Sequence, residues 1–406
     1  MTAEQIRSAI QDIEENVIAI RHRLHRRPEL GFEEHETAQL IIETLQELPV
    51  RLTTGILGTG ICAELIPVGG EKDSGDTGKP VPALLIRADM DALPIQEDTG
   101  LPFSSEKPGL MHACGHDGHV AILLGTVMVL SRFRDQIPGT VKFMFQPAEE
   151  TEGGAKGMIE AGVLREPTVG AAVGLHLWGG TERGIVEYRS GPMMASPDVF
   201  DITIKGRGGH AAMPHMCIDP VPIAAAVIQQ LQTVVSRQVD PLDAAVISVC
   251  TVNGGSVHNV IPNEVTLQGT VRTFLPEVRE AIPKRIEQIV KHTTEMYGAE
   301  FQLDYQFRYP PVVNNPEVTE LVRRSACTIL GTEQVRELER PNMGGEDFAY
   351  LTEAVPASFF YLGIAPSPDK PVQHHHPKFK IDDSVLKDGI AVFCQIVHDF
   401  FKDQNS

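Results

Sequence analysis

Long hydrophobic runs are missing from this 406-residue chain. The longest, from Val120 to Leu130, falls well short of the roughly 20 apolar residues a membrane helix needs. Basic residues are also scarce: 35 Lys and Arg stand against 54 Asp and Glu, a formal net charge of −19. Such a surface repels polyphosphate and anionic lipid, which excludes nucleic acid and membrane as expected partners. The six cysteines, Cys62, Cys114, Cys217, Cys250, Cys327 and Cys394, show no paired rhythm and read as reduced thiols. The opening residues lack a secretory pattern, because Glu4, Asp12, Glu14 and Glu15 interrupt the apolar positions. The expected location is therefore the cytoplasm. There is no internal repeat and no low-complexity tract. What is present is ordinary globular material, 42% hydrophobic, with length enough for two or three domains.

The first apolar stripe, Ile6, Ile10, Ile13, Val17, Ile20 and Leu24, steps by fours and threes and predicts one helix stopped by Pro28 and Gly31. A second helix is expected from near Glu34 to Leu48. Strands are expected at 61–66, 83–87, 141–145 and 171–175, with a buried helix over 119–133. A glycine-rich loop at 69–78 separates the first two strands. This alternation points to an α/β fold with a mostly parallel central sheet flanked by helices. The middle of the chain changes character. Strand, helix, strand, strand, helix, strand follow in order from Phe200 to Phe307, a ferredoxin-like βαββαβ unit. The expected organisation is a catalytic α/β domain over 1–192, an inserted lid or dimerisation domain over 193–309, and the rest of the catalytic domain over 310–406.

Metal-type donors gather where the α/β strands end, the edge at which open α/β sheets bind ligands. The strand at 83–87 runs into Asp89 and Asp91. His112, Cys114, His116 and His119 precede a helix. The strand at 141–145 runs into Glu149 and Glu150, and that at 171–175 ends at His176. Three consecutive histidines, 374–376, stand far downstream. Singly, each has an ordinary explanation: a hydrogen-bonded surface histidine, or an acidic helix start suited to the dipole. Jointly they are hard to explain as stability. A mixed imidazole, thiolate and carboxylate set suits zinc or a similar first-row ion rather than magnesium or calcium. The donors outnumber the needs of one tetrahedral ion, so a pair of ions is expected. Two rivals remain at this point. One is a cysteine hydrolase with Cys114 as nucleophile and His116 as base. The other is a metal-dependent binding module without catalysis.

The motifs RHRLHRRPELGFEE (21–34), RADMDALP (87–94), MHACGHDGH (111–119), QPAEE (146–150), GLH (174–176), GRGGHAAMPH (206–215), NVIPNE (259–264), GGEDF (344–348) and HHPKF (375–379) span nearly the whole chain. In that order they resemble the M20 metallopeptidases. The nearest branch is that of hippurate hydrolases, indole-acetyl-amino-acid hydrolases and related N-acyl-amino-acid amidohydrolases. The resemblance implies metal ligands at Cys114, His116, Glu150, His176 and His375, with His375 chosen because it stands two before Pro377. It implies Glu149 as general base, Asp91 as the carboxylate orienting a ligand imidazole, and His210 as the group steadying the oxyanion across a dimer interface. Asn259 and Arg272 become candidates for gripping the substrate carboxylate. The implied cofactor is two divalent ions per subunit, zinc first, with manganese, cobalt or nickel as alternatives. The implied reaction is hydrolysis of the amide bond of small N-acyl-L-amino acids by a homodimer or larger homo-oligomer. The alternative is a broad carboxypeptidase or dipeptidase. Cys114 and Asp89 depart from the oxygen ligand and the histidine usual in the wider family.

Overall fold

Strands from the first and last parts of the chain pair into one eight-stranded sheet with a buried apolar centre. The computed structural model describes residues 1–70, 81–151, 153–367 and 369–404. The glycine-rich loop expected at 69–78 lies, from residue 71 onward, outside the described residues. The strand order is Arg51–Ile56, Gly60–Leu65, Val141–Gln146, Ala83–Asp89, Val169–Glu182, Ala357–Ala365, Val186–Tyr188, Val335–Glu337. Ala83–Asp89 runs parallel to both its neighbours, and Ala357–Ala365 runs parallel to Val169–Glu182. Every residue of Ala83–Asp89, Val141–Gln146 and Ala357–Ala365 is buried. Central strands covered on both faces are near-continuously apolar, which is why these do not alternate. The helix His116–Arg132 is buried nearly all round and packs against Glu14–Arg26 and Leu386–Asp403.

Contacts divide the chain into two units. The first comprises Met1–Gly191, Val313–Arg340 and Tyr350–Ser406. The second comprises Pro192–Val312 and Pro341–Ala349. In the second, an antiparallel sheet in the order Ala245–Asn253, Glu264–Thr273, Ser196–Lys205, Glu300–Gln306 packs against the helices Pro220–Gln238 and Pro276–Met296. Its core is separate, built on Phe200, Ile202, Ile204, Leu231, Ile286 and Val290. The segment Pro341–Ala349, which carries GGEDF, joins this unit. Nothing in the local pattern distinguishes it from the α/β stretch around it.

Two sequence expectations need correction. The N-terminal helix is two helices, Ala3–Gln11 and Glu14–Arg26. The Ile13 amide bonds to the Ile10 carbonyl at 3.0 Å, a three-residue step that tightens and ends the first helix. The apolar stripe survives the break, since all six of its residues are buried. The strand expected at 171–175 runs over Val169–Glu182, so His176 lies within it rather than at its end. Pairing with Ala357–Ala365 continues past it, Tyr361 facing His176 and Gly363 facing Trp178.

Candidate metal centre

The loop after the strand Val141–Gln146 carries Glu149 and Glu150, and two distant carboxylates hold it. Asp91 accepts the Glu149 amide at 3.0 Å on Oδ1 and the Glu150 amide at 2.9 Å on Oδ2. Glu34 accepts the Ala148 amide at 2.8 Å, while the Thr59 hydroxyl donates to its other oxygen at 2.6 Å. Between these anchors Ala148 takes φ of 56°, a left-handed conformation rare for a residue with a Cβ. Such an outlier persists only where its surroundings impose it. Gly31 lies against the same turn. A Cβ there would come within 2.9 Å of Ala148 Cβ and 2.5 Å of Thr151 Oγ1.

Cys114 and His116 stand at the start of the helix His116–Arg132, where the chain leaves the loop pointing at the sheet edge. His116 Nδ1 is 3.3 Å from Asp91 Oδ1, which directs its Nε2 away from that carboxylate. His176 Nδ1 donates to the Leu177 carbonyl at 3.0 Å, leaving Nε2 to face Cys114 Sγ at 3.4 Å. His375 also has positive φ, 56°, and its Nε2 is 3.2 Å from Glu150 Oε1. Its amide bonds to the Ala113 carbonyl at 2.9 Å, which ties the downstream segment beside Cys114. Among the described residues, the overlapping groups with donor atoms within 4.8 Å of one another include Cys114, His116 and His176; Cys114, Glu150 and His375; His116, Glu149 and Glu150; and Asp89, His116 and His119.

This donor set fits a divalent cation. Among the described residues, the buried His116 Nε2 makes no hydrogen bond; Glu150 Oε1 lies 3.8 Å from it and 3.2 Å from His375 Nε2. Buried polar atoms are ordinarily paired, so the unpaired His116 nitrogen aimed at a carboxylate that two imidazoles share marks a place a cation would satisfy. The electrostatics agree. Burial opposes charge on His116, but Asp89, Asp91 and Glu150 prevail and raise its imidazole to about 10. Burial, then the Glu150 and Glu149 carboxylates, push the Cys114 thiol well above its ordinary value. The pocket thus draws positive charge to itself. Burial, then His119 and His374, hold His176 well below the usual imidazole value, so it stays neutral, as a ligand must.

A further layer escaped the sequence reading. His119 Nδ1 lies 2.6 Å from Asp89, and its Nε2 accepts the Leu177 amide at 2.9 Å. Arg87 clamps the other Asp89 oxygen at 2.6 Å. The Leu177 peptide is therefore pinned at both ends, by His119 through its amide and by His176 through its carbonyl. The GHDGH spacing signalled His119, but only the fold reveals what it touches.

The remaining candidates lie in the second unit. His210 is exposed on the short strand Gly209–His210, opposite Val260. The Ala211 amide bonds to the Asn259 carbonyl at 3.1 Å, so His210 and Asn259 are neighbours. Arg272 is half-buried. Its Nε donates to the Met343 carbonyl at 3.2 Å and its Nη1 to the Val271 carbonyl at 3.1 Å.

Residues 85–399 match the model of peptidase family M20/M25/M40. The chain belongs to that family. Among its M20 relatives, the N-acyl-L-amino acid amidohydrolase of Geobacillus stearothermophilus is 46% identical over 318 residues, 78% of this chain and 83% of that one. Thermostable carboxypeptidase 1 of Saccharolobus solfataricus is 38% identical over 394 residues, 95% of each. The solved structure of the Bacillus subtilis YXEP protein, described as a dinuclear metal binding peptidase from the M20 family, is 35% identical with a TM-score of 0.81. It is matched over 96% of this chain and 98% of its own. Among the described residues, no helix is long and apolar enough to cross a membrane.

Proposed function

We propose that this M20 protein is a two-metal amidohydrolase. It hydrolyses N-acyl-L-amino acids, hippurate-like or carrying acetyl or aryl groups, to a free amino acid and a carboxylic acid. The convergence of Cys114, His116, Glu150, His176 and His375 beside Glu149 carries the reading. These five side chains would hold two divalent ions, with zinc as first choice and manganese, cobalt or nickel as alternatives. When bound, the ions would supply Lewis acidity, making water more acidic and polarising the scissile carbonyl.

The chain's own residues do the rest. Glu149 takes a proton from the attacking water onto its carboxylate and returns it to the nitrogen of the leaving amine. Asp91 keeps Glu149 and Glu150 on their separate tasks by holding both amides, and it sets the face that His116 presents. His210 is assigned to the oxyanion of the tetrahedral intermediate, and Asn259 and Arg272 to the carboxylate of the substrate. The second unit is assigned the contact of a homodimer. A cytoplasmic setting accords with six free cysteines.

The test is a substrate panel. Metal-stripped protein is reloaded with Zn²⁺, Mn²⁺, Co²⁺ or Ni²⁺ in turn, then offered N-acetyl- and N-benzoyl-amino acids and unblocked dipeptides. Metal-dependent release of amino acid from the acylated compounds is expected. Cleavage of unblocked dipeptides alone would replace this reading by that of a carboxypeptidase or dipeptidase, the activity named for the Saccharolobus relative.

A further inference from the structure

The histidine triplet at 374–376 supplies His375 to the proposed centre, and His374 is left without a task. Its surroundings are specific. The Gly179 amide lies 2.9 Å from His374 Nε2, and an amide N–H only donates, so Nε2 must present its lone pair. A neutral imidazole then carries its single proton on Nδ1. That atom lies 3.8 Å from Cys114 Sγ, within reach of an N–H···S bond. We infer that His374 is a hydrogen-bond donor to the Cys114 sulfur, a positioning residue that stabilises and aims the thiolate without itself holding metal. The inference rests on the proposed role of Cys114 as a ligand.

Three observations support it. The ring plane is fixed: His374 stacks on Trp178 at 4.9 Å, and Trp178 stacks on Tyr361 at 4.3 Å. The backbone on either side is stitched down, Val372 to Gly179 at 2.8 Å and His375 to Ala113 at 2.9 Å. Most telling is the contrast with His176. Both imidazoles approach the same sulfur, but His176 spends its Nδ1 proton on the Leu177 carbonyl and turns a bare Nε2 to Sγ at 3.4 Å. His374 turns an N–H. One ring is built to share a cation with the sulfur; the other is built to stabilise the sulfur's negative charge in a dry pocket.

Cobalt(II) loading reads this directly, because thiolate-to-cobalt charge transfer gives a near-ultraviolet band that reports the electron density on sulfur. His374→Phe keeps a ring against Trp178 and removes the donor. The band should move to longer wavelength, and cobalt affinity should fall about 10- to 100-fold, as for other partners just outside a metal's ligands. His374→Asn keeps an N–H at the place of Nδ1 and should hold both near wild type. An unmoved band in His374→Phe overturns the inference. So does an equal shift in both variants, which would trace the effect to loss of the ring. Histidine-selective ¹⁵N spectra of the zinc-loaded wild type need no variant to fold. His374 should keep its Nδ1 proton with neither nitrogen ligated, and a ligated nitrogen overturns the inference. If the wild type shows no sulfur band, or the band survives Cys114→Ser, the metal role of Cys114 fails and this inference with it. A genuine Cys114 band that His374→Phe leaves in place overturns this inference alone.

Discussion

Replacing Asp91 by asparagine changes one oxygen to an amide nitrogen, and the geometry says what that costs. The carboxylate accepts two backbone amides, from Glu149 at 3.0 Å and Glu150 at 2.9 Å, and stands 3.3 Å from His116 Nδ1. The substituted side chain keeps one acceptor. Whichever amide it serves, its own N–H₂ then confronts the other amide, donor against donor. A hydrogen bond to a charged group contributes about 1.5–3 kcal/mol, and a buried donor left unpaired costs about 1–3 kcal/mol more. The metal-free protein should therefore lose about 3 kcal/mol or more. The lost clamp also frees Glu150 and the ring of His116, so metal affinity should fall about 10- to 100-fold. The single tryptophan, Trp178, lies in the first unit and stacks on Tyr361, so its fluorescence follows unfolding of that unit in urea. Metal affinity is read by competition with a chromophoric chelator. An Asp91→Asn protein with wild-type urea midpoint and wild-type metal affinity would refute the clamp.

Glu149→Gln should retain metal and lose turnover; near-normal turnover would remove Glu149 from proton transfer. Gly31→Ala should displace the Ala148 turn, because the new Cβ meets Ala148 at 2.9 Å, and overpacking of this kind costs about 1–3 kcal/mol; wild-type stability and kcat would show the turn to be slack. Gly179→Ala sets a Cβ 1.9 Å from the Val372 carbonyl oxygen, so it should move the segment bearing His374 and His375 and lower metal content, which elemental analysis measures. Stability should also depend on His25. Burial opposes its charge, but Asp117 at 2.8 Å and Glu97 at 3.3 Å raise its imidazole to about 9. A raised value stabilises fully below the unfolded value near 6.5, and the benefit fades as pH rises through about 9. At about 1.4 kcal/mol per pH unit, up to about 3 kcal/mol is at stake across that window. His25→Gln should flatten the fall in urea midpoint between about pH 6.5 and 9.5, and an unchanged slope would contradict the assignment.

Much of this was legible in the sequence, for physical reasons. Strands buried on both faces are mostly apolar without alternation, so Ala83–Asp89 and Val141–Gln146 announced themselves despite Arg87 and Lys142. In the second unit, Phe200, Ile202 and Ile204 alternate with polar residues because only one sheet face meets helices. Cys114, His116, Glu149, Glu150, His176 and His375 could be named because their motifs are local. Apart from Asp91, which the family resemblance implied as the orienter of a ligand imidazole, what holds them could not. Asp91 meets Glu149 across 58 residues of sequence, Glu34 meets Ala148 across 114, and Gly179 meets His374 across 195. No periodicity encodes such pairs. The strand bearing His176 runs on to Glu182, beyond the expected 171–175, and Gly179 within it is required by the close approach of Val372.

Anomalous X-ray scattering from crystals of the zinc-loaded protein, collected across the zinc edge, addresses the metal centre most directly. Two peaks are predicted, both within bonding distance of donors drawn from Cys114, His116, Glu150, His176 and His375. A lone peak, or peaks seated on other side chains, would contradict the account.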